Sequence, residues 1–158
     1  MIEIDRARLD DDDSQRLLAE LNTELTAMYP EPGANHFRVD PGEVAEGRGA
    51  FLVLREGGVP VGCGAVRLID HETAELKRMF VVPALRGAGL GRQLVAALER
   101  EARTLGARRL VLETGTRQAA ALALYEAVGF RPIPLYGEYG LSPDTSVCLG
   151  KELSSSAG

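Results

Sequence analysis

Apolar residues along this chain fall first at helical spacing, then in alternating or continuous runs, then at helical spacing again. Ile2 and Ile4 alternate with polar residues and predict a short first strand. Asp10 to Asp13 then opens a helix, because carboxylates suit the positive end of a helix dipole. Leu17, Leu18, Leu21, Leu25 and Met28 recur at helical spacing and form one apolar stripe, which Pro30, Pro32 and Gly33 bring to an end. Residues 31–49 are polar and rich in glycine and proline. They predict a loop with at most one short helix around Pro41 to Glu46.

Phe51 to Leu54 and Val61 to Leu68 flank Gly57-Gly58 and predict a hairpin. Ala74 to Val82 predicts a third strand of this group, ended by Pro83. Gly89 to Leu105 predicts a helix with Leu90, Leu94, Val95, Leu98, Ala102 and Leu105 on one side, stopped by Gly106. Leu110-Val111-Leu112 is a short apolar strand. Strand, helix and strand within about thirty residues is the length of a crossover between parallel strands. Ala119 to Val128 predicts another helix, stopped by Gly129; Phe130 to Leu135 and Ser146 to Leu149 predict two last strands. Antiparallel strands, one crossover and further strands together predict a mixed sheet. Residues 1–153 form one domain in this reading, and Ser154 to Gly158 a disordered tail.

Length and composition change this picture little. A chain of 158 residues, 45% hydrophobic and 26% charged, predicts one soluble globular domain. The net charge of −5 argues against nucleic-acid binding. The N-terminus has no signal-peptide core and no apolar run reaches membrane-spanning length, so a cytoplasmic location without membrane association is expected. Cys63 and Cys148 lie in apolar segments without CxxC spacing and read as buried thiols. His36 and His71 read as exposed loop residues; no two histidines share a helical face, so no metal is expected.

The chemistry concentrates at Arg86-Gly87-Ala88-Gly89-Leu90-Gly91, between a strand and a helix. Unpaired N–H groups at a helix start favour an anion, and glycines let a phosphate approach the backbone. A Walker loop is excluded because no GK[ST] follows. A dinucleotide fingerprint needs GxGxxG, and this loop is one residue short, although Glu113 could imitate the ribose-binding acid. The loop instead fits Arg/Gln-x-x-Gly-x-Gly/Ala. Together with Ala74-Glu75-Leu76-Lys77-Arg78-Met79-Phe80-Val81-Val82-Pro83 upstream and Ala121-Leu122-Ala123-Leu124-Tyr125-Glu126-Ala127-Val128-Gly129-Phe130 downstream, it resembles the GNAT superfamily of N-acetyltransferases. The resemblance runs from about Phe51 to Leu153.

That resemblance implies an α/β (α+β) acyl-CoA N-acyltransferase fold, with a mixed, mostly antiparallel sheet of six to seven strands and about four helices. It implies acetyl-coenzyme A as co-substrate and direct attack by a small-molecule amine. The cofactor contacts it implies are the backbone of Met79, Phe80 and Val81, the loop Arg86, Gly87, Ala88, Gly89, Leu90 and Gly91, then Arg92, and Gln118, which stands where many relatives carry Asn. Tyr125 is the implied acid: a phenol of pKa about 10 stays protonated beside a thiol of about 8.5. Glu75, eleven residues before Arg86, is the candidate base, or else a strand-edge charge paired with Lys77 or Arg78. Arg78, Tyr136 and Tyr139 are candidate acceptor contacts, and Tyr29, His36, Phe37 and Arg38 lie in segments that would roof the acceptor cleft. A homodimer is left open. The competing readings are a non-catalytic acyl-coenzyme A sensor, a protein or peptide N-acetyltransferase, and a dinucleotide-binding oxidoreductase.

Overall fold

The computed structural model describes residues 1–31 and 39–153. The expectations for Pro32, Gly33, His36, Phe37, Arg38 and the tail lie outside the described residues. Among the described residues seven strands form one sheet: β1 (Ile2–Arg6), β2 (Gly49–Glu56), β3 (Val59–Leu68), β4 (Thr73–Val81), β5 (Arg109–Gly115), β6 (Arg131–Ile133) and β7 (Ser146–Glu152). Their spatial order is β1-β2-β3-β4-β5-β7-β6. Among the described strands only β4 and β5 run parallel, and they are joined by the expected helical crossover.

Among the described residues three α-helices pack on this sheet: α1 (Asp12–Met28), α2 (Leu90–Thr104) and α3 (Ala119–Ala127). The remaining helical pieces among the described residues are 3₁₀ turns at Pro41–Val44, Pro83–Leu85 and Gly137–Leu141, so the expected four helices become three. The last turn falls in the long connection before β7, where Gly137 takes a positive φ of 55°. The predicted strand Phe130 to Leu135 shrinks to Arg131–Ile133. Pro132 and Pro134 have no N–H to give a ladder, which confines this segment to a short sheet edge.

Strand alternation divides the core into two layers. Phe51, Val53, Cys63, Ala65 and Phe80 face Leu17 and Leu21 of α1. Leu52, Leu54, Val66, Ala74, Leu76, Leu110 and Leu112 face the other way, against Leu90, Leu94, Val95 and Leu98 of α2. Each fully buried leucine of that stripe contributes about 1.5–3 kcal/mol, enough to hold α2 as the crossover. Cys63 and Cys148 are both buried and unpaired. No helix among the described residues is long and apolar enough to cross a membrane.

Two irregularities in β4 place the site. Its register with β5 runs from Thr73–Arg109 to Leu76–Leu112 and stops there. Its pairing with β3 slips between Cys63 and Ala65, and Arg78 opposite this bulge takes φ 58°. β5 continues instead beside β7, through Glu113–Cys148 to Gly115–Ser146. The sheet therefore splits at its centre, leaving the β5-facing edge of β4 unpaired from Lys77 onward.

Candidate active site

The split opens into a cleft. Its walls are Leu76, Lys77, Arg78 and Met79 of β4, Leu112 to Gly115 of β5, Leu21, Leu25 and Tyr29 from the α1 side, and Gln118, Tyr125, Tyr139 and Thr145. Tyr29 fixes its width: the hydroxyl accepts the backbone N–H of Arg117 at 2.7 Å, and the Arg117 guanidinium lies 5.0 Å over the ring. The same guanidinium pairs with Glu31 and donates to the carbonyl of Met28 at 2.8 Å. Gly115 is required here, because a Cβ would collide with the Tyr29 hydroxyl and ring.

The glycine loop follows β4 and leads into α2, which packs on α3 beside the cleft-lining Tyr125. Gly87 and Gly89 take φ of 89° and 83°, a region costly for residues with a Cβ. No atom lies within 4 Å of where their Cβ atoms would be, so the loop's outer surface is open. Among the described residues, the N–H groups of Gly87 through Arg92 donate to no backbone carbonyl; the first helical bond comes from Gln93 to Gly89. Gly91 does something else: a Cβ there would press on Leu124 at 3.0 Å, so it serves the packing of α2 on α3. Leu90 is buried, whereas Ala88 and Arg92 are exposed. Arg86 is turned back toward the protein. Its Nε donates to the carbonyl of Val81 at 2.8 Å, and its terminal nitrogens hold Glu24 of α1 at 2.7 and 2.8 Å. Arg86 thus braces the loop against β4 and α1.

Met79 lies along the cleft, while the side chain of Phe80 belongs to the core beneath α1. Gln118 precedes α3 and reaches the cleft. Tyr125 is the buried residue of α3, edge-on to Phe130 with ring centroids 5.6 Å apart. Its hydroxyl faces the cleft without a hydrogen-bond partner among the described residues. Burial, reinforced by the charge of Glu113, raises its pKa and keeps the proton on.

Glu75 does not reach the cleft wall. It is completely buried, and each carboxylate oxygen is engaged. Oε1 accepts from Arg67 Nε at 2.9 Å; Oε2 accepts from the hydroxyls of Tyr136 at 2.6 Å and Tyr139 at 3.1 Å. Arg67 also pairs with Glu43, which caps the Pro41–Val44 turn through the Asp40 N–H. The two tyrosines meet edge to face at 5.2 Å. Of these expected acceptor contacts Tyr139 lines the cleft, and Tyr136 stands behind it as a second anchor on Glu75. The expected pairing of Glu75 with Lys77 or Arg78 is replaced by this cluster, because Arg67 lies directly opposite Glu75 in the β3–β4 register. Arg78 does line the cleft and donates to Asn22 of α1.

The acid in the cleft is Glu113. It stands one residue past the last β4–β5 pair, on the β5 side of the split. Burial pushes its pKa up to about 7, with smaller rises from Glu75 and Glu138; a hydrogen bond from Ser146 and the charge of Lys77 pull the other way. The sequence carries a signal for this role. A lone carboxylate follows Leu110-Val111-Leu112 at the carboxyl end of a parallel strand, where ligands collect in α/β sheets.

A model of the acetyltransferase (GNAT) family matches residues 9–130. The chain is 43% identical over 130 residues to the IAA acetyltransferase of Azospirillum brasilense, a match covering 81% of this chain and 83% of that protein. A structure from Klebsiella pneumoniae, provisionally named an acyl-CoA N-acyltransferase, superposes with TM-score 0.82 at 32% identity and covers 98% of this chain and 99% of that one. The yncA protein of Salmonella typhimurium, provisionally named an acetyltransferase and solved with its cofactor acetyl-CoA, shares the fold with TM-score 0.68 at 24% identity, covering 100% of this chain and 97% of that one. With the family matched over most of its length, this chain belongs to the GNAT family of acetyltransferases.

Proposed function

We propose that the protein moves an acetyl group from acetyl-coenzyme A to the amine of a small molecule by direct attack in a ternary complex. The observation that carries this reading is the Tyr125 hydroxyl, without a partner among the described residues, on a helix that lines the split between β4 and β5 and packs through Leu124 on Gly91 of the glycine loop. The residues fit the donor. Unpaired N–H groups and open glycine positions suit the pyrophosphate, while the free edge of β4 and the Gln118 amide suit an amide-bearing pantetheine arm. Bound there, acetyl-coenzyme A supplies the thioester that the amine cleaves. Glu113, ionised above about pH 7, takes the proton the amine loses. Tyr125 gives its proton to the departing sulfur. Glu75 positions Tyr139 and contacts no reacting atom. The two unpaired thiols suit a reducing cytoplasm.

Titration calorimetry with acetyl-coenzyme A is expected to give a Kd of about 1–100 μM, and no heat up to about 1 mM sinks the reading. Tyr125→Phe is expected to lower kcat about 10²-fold while leaving the KM for acetyl-coenzyme A within about threefold. A non-catalytic sensor would instead bind the donor, turn over no amine, and be indifferent to that substitution. The acceptor panel should include IAA, which names the Azospirillum relative.

A further inference from the structure

Lys77 bears on what the cleft accepts. Only 9% of it is exposed, it lines the cleft, and its ammonium has no hydrogen bond or ion pair among the described residues. Its charge acts on Glu43 and on Glu113, with an ion pair to neither among the described residues. Glu75 is held by Arg67, Tyr136 and Tyr139, and Glu43 by Arg67 and the Asp40 N–H. A lysine that lines the cleft with no ion pair of its own can give a charge-assisted hydrogen bond to a ligand carboxylate.

Its position defines what such a ligand looks like. Leu76 and Leu112 are the last paired residues of β4 and β5. Lys77 and Glu113 are therefore the first residues on either lip of the split, on the same face of the sheet. Paired strands lie about 4.8 Å apart, and the lips diverge from that spacing. A molecule bridging them places a positive group at Glu113 and a negative one at Lys77, separated by a few bonds. Arg78, with its guanidinium turned to Asn22, adds positive potential beside Lys77.

On the transferase reading above, we infer that the acceptor is an amino-carboxylate, its amine against Glu113 and its carboxylate taken by Lys77. The acetyl-transfer step is unchanged; the carboxylate is a handle that aims the amine.

The test compares the proteinogenic amino acids with their carboxamides as acceptors, in the intact protein and in Lys77→Met. Wild type is expected to prefer at least one acid over its amide by about 10–100-fold in kcat/KM, as for a charge-assisted hydrogen bond. Lys77→Met should abolish that preference through KM of the acid, with KM for acetyl-coenzyme A unchanged, and Lys77→Arg should restore part of it. Equal use of acid and amide, turnover confined to amines without a carboxylate, or a preference that survives Lys77→Met overturns the inference. The wild-type comparison needs no variant to fold. Failure of donor binding in calorimetry would defeat the transferase reading itself, whereas donor binding without acid preference defeats only the role of Lys77.

Discussion

Arg67→Ala is expected to lower folding stability by about 3 kcal/mol, the lower end of what removing one partner of a buried ion pair costs. The reason is Glu75. It has no exposure to solvent, and Arg67 Nε at 2.9 Å is its only cationic contact among the described residues. Tyr136 and Tyr139 would still donate to the carboxylate, which keeps the loss from being larger. The same variant also frees Glu43 from its partner. Urea unfolding measures the effect. Replacing Glu75 by Gln in the Arg67→Ala background should recover most of the loss, because a neutral amide needs no counter-charge. A loss below about 1 kcal/mol would mean that the pair does not hold the fold in this way.

Glu113→Gln is expected to lower kcat/KM by about 10²- to 10⁴-fold, the usual span for removing a general base. The pH profile separates this from a packing defect. A base with its pKa pushed up to about 7 works only when ionised. Wild-type kcat/KM should therefore climb about tenfold per pH unit below pH 7 and level off above it. The groups acting on this titration are Ser146, Glu75, Glu138 and Lys77. In Glu113→Gln the limb near pH 7 should vanish while acetyl-coenzyme A still binds. A variant that keeps that limb would return the role of base to another group. Stability moves in the opposite sense: folding raises the pKa of this carboxyl, so its contribution is full at low pH and declines as pH rises from the ordinary carboxylate range toward 7.

Much of this architecture is legible in the sequence because periodicity is local. The stripe at Leu17, Leu21 and Leu25 marks α1, and that at Leu90, Leu94 and Leu98 marks α2. The glycine loop is legible for the same reason: its meaning lies in contiguous residues. Cross-strand facts are less so. Arg67 meets Glu75 only through register, and Glu113 becomes a cleft residue only because the pairing of β4 with β5 ends at Leu112, just before it. A motif-based choice of base therefore reaches Glu75, which is buried behind the cleft, whereas Glu113 lines the cleft. Arg86 shows the same limit. Its place in the motif suggests a phosphate contact, but Glu24, sixty-two positions away in sequence, holds its guanidinium.

The opening of the site is a property of the backbone ladder and not of any vacancy among side chains. Past Leu76 and Leu112 the two central strands share no register, so a larger residue on either lip changes the lining without sealing the gap. Sequence drift can then exchange Lys77, Arg78 or Tyr139 for other side chains and alter the lining of the cleft. Gly115 resists such drift, because any side chain there meets Tyr29, and with it the strap across the cleft. A lineage built on this frame can vary the walls of the cleft while the split itself stays where the main chain put it.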